Sequence, residues 1–124
     1  MAISPVKFAA LVADSLRLVP AEFQPYLANV AIDVEDEPDD ELRAEMELAD
    51  DETLFGVYTG TPLTERGETE PLFPDRIVIF RLPLLDEFGD DPAELRHEIA
   101  RTVIHEIAHH FGIDEDRLAE LGWE

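Results

Sequence analysis

Several common building blocks are missing or scarce in this sequence, and each absence excludes a class of protein. There is no cysteine, which excludes disulfide bonds and thiolate metal sites. Lysine occurs once, at Lys7, and nine basic residues stand against 30 acidic ones, so the formal net charge is −21 at pH 7. This charge opposes binding to nucleic acid phosphates and to anionic membranes. It favours a basic peptide or a basic protein surface as the partner, although it also serves solubility.

The sequence also lacks the segments that direct a chain to or across a membrane. No apolar run approaches the roughly 20 residues of a membrane helix, and no basic stretch followed by an apolar block opens the chain. A cytoplasmic protein is therefore expected. A length of 124 residues, of which 45% are apolar, predicts one domain over residues 1–124, as a monomer or weak oligomer.

The spacing of apolar residues predicts both helices and strands. An amphipathic helix is predicted from residue 4 to about residue 18, and a shorter helical piece follows Pro20. Pro83 is expected to end the most apolar strand. Gly56, inside a strand pattern, predicts a close approach by another part of the chain. The predicted strands are residues 30–34, 55–59 and 76–81.

Two polar stretches separate the strands. Residues 35–52 are dominated by Asp and Glu and predict a solvated charge run, in which Leu42 and Met46 would seat a short helix. Residues 60–75 contain several Gly and Pro breakers and predict a long loop. Neither stretch has the regular spacing of acids that a calcium loop needs.

The longest predicted helix spans residues 91–112 and is well specified at both ends. Asp91 is the predicted N-cap, Pro92 follows where no N–H is needed, and Glu94 completes a capping box. Gly112 offers the left-handed conformation that ends a helix. At about 100° per residue, one face is apolar and is expected to lie on a core. This face consists of Ile99, Ala100, Val103, Ile104, Ile107 and Phe111.

The opposite face of this helix carries a metal-binding pattern, His-Glu-x-x-His, at residues 105–109. Side chains four residues apart on a helix project together, so His105 and His109 can hold one zinc ion, with Glu106 beside the bound water as general base. Paired histidines on a helix are commonly only surface residues. Here two of the four histidines in the chain fall in the pattern, on a capped helix with an apolar back, which favours a metal site.

The pattern extends further, because Gly112 and Glu115 follow at the spacing of the metzincin type, His-Glu-x-x-His-x-x-Gly-x-x-Glu. Gly112 lets the chain turn back, so that a residue three positions later can return to the metal. Three acids compete for this place. Asp114 is the natural N-cap of a final short helix, and Asp116 is expected to point away. Glu115 is the predicted third ligand, with Asp114 and Asp116 as open alternatives.

Further blocks of sequence accompany this motif. They are Asn-Val-Ala-Ile at 29–32 with the following Val-Glu-Asp-Glu-Pro, Gly-Val-Tyr at 56–58, Pro-Leu-Thr-Glu-Arg at 62–66, Pro-Asp-Arg-Ile at 74–77, the His-Glu-x-x-His-His-Phe-Gly block at 105–112, and Asp-Arg-Leu to Leu-Gly-Trp at 116–123. Together these blocks cover nearly the whole chain. They resemble the bacterial minimal zincins, which are small one-domain metallopeptidase-like proteins.

The resemblance implies an α+β, zincin-like fold, with a small mixed sheet of about three strands packed against an N-terminal helix and the motif helix. It implies that His105 and His109 ligate zinc, and that Glu106 polarises the water. An acid at the Glu115 position would complete the site, although the family pattern has Asp there. The expected function is that of a zinc-dependent metallopeptidase that hydrolyses peptide bonds. Two alternatives are a zinc-stabilised binding or regulatory module without turnover, and an acidic decoy or adaptor for a basic partner.

Four other side chains have secondary interpretations. His97 is expected at the surface, and His110 at the surface or in contact with the metal ligands. Tyr58 is expected to be a half-buried core aromatic, with stabilisation of an oxyanion as the alternative. Arg117 is expected in a surface ion pair.

Overall fold

A computed structural model of the chain describes residues 3–28, 30–49, 52–60 and 75–124. Most of the predicted loop at 60–75, the sequence block at 62–66 and Asn29 lie outside these residues. Within the described ranges, no helix has the length and apolar content needed to cross a membrane. The elements in chain order are α1 (Pro5–Ser15), a 3₁₀ turn (Leu16–Leu18), α2 (Gln24–Leu27), β1 (Val30–Glu35), α3 (Asp40–Glu45), β2 (Gly56–Thr59), β3 (Asp75–Phe80), α4 (Arg81–Phe88), α5 (Pro92–Phe111) and α6 (Glu115–Glu120).

The three strands form one mixed sheet in the order β1-β3-β2. Strand β1 runs parallel to β3, with Val30 opposite Asp75. Strand β2 runs antiparallel to β3, with Gly56 opposite Ile79, and it therefore lies at an edge of the sheet. This arrangement confirms the predicted α+β fold with a small mixed sheet.

The central strand β3 is buried on both faces, as its apolar sequence predicts. Ile77 and Ile79 belong to the main core, which they share with Phe8 of α1 and with the apolar face of α5. Burying an Ile or Phe side chain completely stabilises a fold by about 1.5–3 kcal/mol, so this core fixes α5 firmly against the sheet. The β3 residues exposed by 2% or less are Ile77, Val78, Ile79 and Phe80.

Helix α5 has the predicted ends. Asp91 Oδ1 accepts hydrogen bonds from the backbone N–H groups of Ala93 and Glu94, at 3.0 and 3.4 Å. Gly112 ends the helix in the left-handed conformation, with φ 71°. The predicted core face is buried at Ile99, Ala100, Val103, Ile104 and Ile107.

Phe111 departs from this face, and its predicted place in the core is wrong. The residue is 42% exposed. It is the last residue of α5, and its ring stacks on Tyr26 of α2 with the ring centroids 4.4 Å apart. Phe111 therefore packs on Tyr26 and, with ring centroids 6.1 Å apart, edge-on to Tyr58 of β2, outside the buried core.

Helix α4 is not predicted by the sequence pattern. Pro83 is expected only to end the preceding strand, yet it lies at the third position of α4, where its missing N–H breaks no bond within the helix. Leu84 is fully buried in the core. Arg81 fastens the start of the helix, because its guanidinium donates to Asp36 at 3.0 Å and to the carbonyl of Ile3 at 2.9 Å.

Strand β2 approaches α5 closely at Gly56, as the glycine in its sequence predicts. A Cβ atom at this position would lie 2.7 Å from Thr102 Cγ2 and 3.0 Å from the carbonyl oxygen of Val78. Ordinary carbon contacts are about 3.5–4.0 Å, so a larger side chain does not fit without moving the strand. The glycine therefore sets the distance between the sheet edge and the helix.

Replacing Gly56 tests this packing. Gly56→Ala is expected to lower the free energy of unfolding by about 1–3 kcal/mol, because overpacking forces β2 and α5 apart. Chemical denaturation measures the change. Thr102→Ser provides the control, since it removes Cγ2 but keeps the hydroxyl that donates to the Glu98 carbonyl at 2.8 Å. In the Thr102→Ser background Gly56→Ala should cost less, and an unchanged cost would contradict the proposed contact.

Candidate active site on helix α5

A cleft of about 280 Å³ opens between helix α5 and the edge of the sheet. One wall is formed by the segment that leads into β2, and the other by the polar face of α5. Two predicted site residues, His105 and Glu106, share this concave surface. The lining residues are Thr53, Leu54, Phe55, Gly56, Glu98, Arg101, Thr102, His105 and Glu106.

Glu106 is held in the cleft by strand β2. The backbone N–H of Tyr58 donates to Glu106 Oε2 at 3.3 Å. Burial raises the pKa of the Glu106 carboxyl above its ordinary value, while the Tyr58 hydrogen bond and the charge of His109 offset part of this rise. A carboxyl group whose pKa is raised towards neutrality is well suited to accept and return a proton.

His109 lies one helical turn beyond His105 and is exposed. It follows Glu106 by three residues on the same helix, a spacing at which side chains are neighbours. The roles of His105 and His109 as metal ligands stay predictions.

His105 is half-buried and already has a hydrogen-bond partner. Its Nε2 atom lies 2.7 Å from the carbonyl oxygen of Trp123. A carbonyl oxygen only accepts hydrogen bonds, so Nε2 carries the hydrogen and donates it. The other ring nitrogen is then the one with a free lone pair in the neutral imidazole.

The histidine pair fits zinc in donor type and spacing, because zinc takes two imidazole nitrogens four residues apart on a helix. The hydrogen bond of His105 to Trp123 leaves no lone pair on Nε2 for a metal, since a ring nitrogen that carries hydrogen cannot act as a ligand. Binding of zinc through Nε2 of His105 therefore requires the Trp123 carbonyl to leave.

The three acids that compete for the third metal position lie at the start of α6. Asp114 is the N-cap, as predicted, and its Oδ1 accepts from the N–H of Arg117 at 2.9 Å. Glu115 and Asp116 occupy the first turn and are exposed. Within residues 3–28, 30–49, 52–60 and 75–124, no three His, Asp or Glu side chains form a group that could hold a metal ion. The role of Glu115 as third ligand stays a prediction.

A cluster that the motif does not predict lies beside Glu106. The rings of Tyr58 and His110 stack with their centroids 3.8 Å apart. The Tyr58 hydroxyl donates to Asp75 Oδ2 at 2.8 Å, and His110 Nε2 lies 4.0 Å from the same oxygen. Tyr58 is thus the expected half-buried aromatic, and its backbone, rather than its hydroxyl, contacts Glu106.

Trp123 is the site residue that the sequence analysis misses. Its ring stacks on His97, with centroids 4.7 Å apart and planes 16° apart, while its carbonyl contacts His105. His97 is at the surface, as predicted, but the aromatic partner is new. A backbone carbonyl has no residue-type signature, so no motif could have indicated its contact with His105.

Arg117 forms the predicted surface ion pairs. Its guanidinium donates to Glu22 at 2.8 Å and to Glu120 at 2.7 Å. The hydrogen bond from Arg117 lowers the pKa of the Glu22 carboxyl below its ordinary value. These contacts fasten α6 beside the turn that precedes α2.

The residues from 27 to 123 match the family of zincin-like metallopeptidases. The chain belongs to this family. The match confirms the family that was predicted from the sequence motifs. A conserved hypothetical protein from Thermo thermophilus is similar in structure, with a TM-score of 0.59 and 23% identity, over 88% of this chain and 94% of that one. At this identity the likeness concerns the fold alone, and no curated protein matches the sequence.

The raised pKa of Glu106 predicts a pH-dependent change in the stability of this zincin-like protein. In metal-free protein at neutral pH, Glu106→Gln is expected to raise the unfolding temperature, because it removes a charge that burial disfavours. The gain should vanish as the pH falls through the raised pKa and below the unfolded value, since both states of the wild type then hold the proton. Calorimetry across this pH range measures the difference between variant and wild type.

Glu87→Gln is the matched control, because it removes the same charge from an exposed position on α4. It separates the burial of Glu106 from a simple reduction of the net charge. An equal gain in both variants would contradict the assigned cause.

Zinc titration of three alanine variants tests the third ligand of the zincin-like site. Glu115→Ala is expected to weaken zinc binding far more than Asp116→Ala, because Glu115 has the spacing of the third metzincin ligand. Asp114→Ala is expected to keep the metal and to lower the free energy of unfolding by about 1 kcal/mol, the usual loss of a cap. If Asp116→Ala loses zinc while Glu115→Ala keeps it, the assignment is wrong.

Proposed function

We propose that this protein is a zinc-dependent hydrolase of peptide bonds. The observation that carries the proposal is the position of Glu106, which lies half-buried in a cleft, three residues before His109 on the same helix, with its pKa raised by burial. A carboxylate beside paired imidazoles is the arrangement in which water is activated for attack on an amide. Membership of the zincin-like metallopeptidase family supports the same chemistry in general terms.

Three side chains of the proposed site would hold the metal. They are His105 and His109 on α5, and Glu115 at the start of α6 as the predicted third ligand. Zinc, when bound, supplies a Lewis acid that lowers the pKa of a water ligand towards about 7 and polarises an amide carbonyl.

Glu106 has the role of general base in this proposal. Its carboxylate takes a proton from the attacking water and then passes the proton to the nitrogen of the leaving amine. Its pKa is raised by burial, so it holds a proton more readily than an exposed Glu does. The Tyr58 N–H fixes one carboxylate oxygen, which keeps the base oriented towards the cleft.

The edge strand supports a peptide as the substrate. Strand β2 lies at the edge of the sheet, and the Tyr58 N–H on that strand donates to Glu106 in the cleft. An extended peptide is the ligand shape that such an edge accepts, because main-chain hydrogen bonds can continue the sheet. The net charge of −21 favours a peptide with basic residues.

A binding or regulatory module is the second candidate, and one contact favours it. The Trp123 carbonyl oxygen accepts a hydrogen bond from Nε2 of His105, so this nitrogen is closed to a metal while the contact lasts. A protein that keeps this contact would retain the fold and lack turnover.

Replacing the general base separates the two functions. Purified wild-type protein is expected to bind about one zinc ion per chain and to cleave members of a peptide library. Glu106→Gln is expected to retain the zinc and to lower the hydrolysis rate by about 10²–10⁴-fold, because the base is lost while both histidines remain. Metal analysis and mass spectrometry of the cleaved library measure these two quantities.

The two measurements have different consequences. Absence of any cleavage of the peptide library by the wild type would favour the binding module. Cleavage at full rate by Glu106→Gln would mean that Glu106 is not the base.

A further inference from the structure

Three side chains of α5, each one helical turn from the next, contact the segment made of residues 121–124. The His97 ring stacks on the Trp123 ring with centroids 4.7 Å apart. Arg101 Nε donates to the carbonyl oxygen of Glu124 at 3.0 Å, and His105 Nε2 donates to the carbonyl oxygen of Trp123 at 2.7 Å. The 121–124 segment therefore lies along the helix face that carries the metal-binding motif.

The 121–124 segment is also fastened to α6. The N–H of Trp123 donates to the Leu118 carbonyl at 2.8 Å, and the N–H of Gly122 donates to the Ala119 carbonyl at 3.0 Å. Gly122 has φ 80°, a left-handed conformation that turns the chain back towards α5. Leu121 packs against the core. The contact with His105 is thus set by several independent interactions.

We propose that the 121–124 segment is a closing segment, which keeps Nε2 of His105 from binding metal and leaves α5 when zinc binds through this nitrogen. The inference rests on the proposed function, because it assumes that His105 is a ligand. The metal and the Trp123 carbonyl compete for one atom, Nε2 of His105. While Nε2 of His105 donates to the Trp123 carbonyl, this nitrogen has no lone pair for a metal, so the metal and the carbonyl exclude each other at Nε2.

The protein then has a closed state, in which the 121–124 segment contacts α5, and an open state, in which it does not. Zinc binding and the position of Trp123 both report on the equilibrium between them. A ligand that binds only the open state shifts the population towards that state. Anything that weakens the hold of the segment on α5 should therefore strengthen zinc binding, because less of the binding energy is used to release the segment.

Trp123 is the only tryptophan in the chain, so its fluorescence reports on the segment directly. Zn²⁺ has no absorption in the visible or near-ultraviolet range, and a change in emission therefore reflects the surroundings of the indole. In the wild type, saturation with zinc is expected to move the emission to longer wavelength, as the ring leaves His97 and enters water.

Two substitutions of Trp123 complete the test, with zinc affinity measured by competition against a chromogenic chelator. Trp123→Ala is expected to bind zinc about threefold to tenfold more tightly than the wild type, the range that one aromatic pair contributes. Trp123→Phe is the matched control, because it keeps an aromatic ring to stack on His97. Its zinc affinity should stay close to that of the wild type.

The outcomes are distinguishable. Tighter binding by Trp123→Ala together with the emission shift in the wild type supports the closing segment. If the wild type binds zinc with no change in emission, or if Trp123→Ala binds no more tightly, the closing segment is refuted while the proposed zinc site stands. If neither protein binds zinc, the proposed function is wrong, and the closing segment fails with it.

Discussion

The burial of one face of helix α5 is the constraint on which the rest of this structure depends. Ile99, Val103 and Ile107 are fully buried against the sheet and α1, and each is worth about 1.5–3 kcal/mol. Rotating the helix about its axis by the angle of one residue would bury polar side chains in place of these three. The rotation of α5 is thereby fixed, and with it the direction in which Glu106 and His105 face. The orientation of the site is a consequence of the core.

The close contact between β2 and α5 then gives Glu106 its properties. Because Gly56 has no side chain, the edge strand lies near Thr102, and the Tyr58 N–H reaches the Glu106 carboxylate. The same approach removes water from the carboxyl group and raises its pKa. One backbone donor keeps the carboxylate oriented, while burial keeps it basic. A packing feature of the sheet edge thus gives Glu106 the burial and the orientation that the proposed general base needs.

Sequence reasoning succeeds here where a signal is local and repeated. The caps of α5, its apolar face at Ile99 to Ile107 and the Asp114 cap of α6 all follow from residue types at fixed spacing. Helix α4 is not predicted because Pro83 indicates the end of an element. A proline in the first turn of a helix, however, removes no hydrogen bond within the helix. The contact of the Trp123 carbonyl with His105 is not predicted because backbone groups have no sequence signature. Main-chain contacts between segments that are distant in sequence can be identified only once the fold is known.

His105 is the point at which the stability of the fold and the proposed chemistry compete. The hydrogen bond to the Trp123 carbonyl contributes a net stabilisation of about 0.5–1.5 kcal/mol, the ordinary value for such a bond. A complete zinc site in a small protein contributes about 10 kcal/mol or more at neutral pH. In the proposed site, zinc would therefore displace the carbonyl wherever a third ligand completes the coordination. Without that ligand, two imidazoles gain much less, and the carbonyl can retain His105. The third ligand thus decides which state of His105 is the stable one.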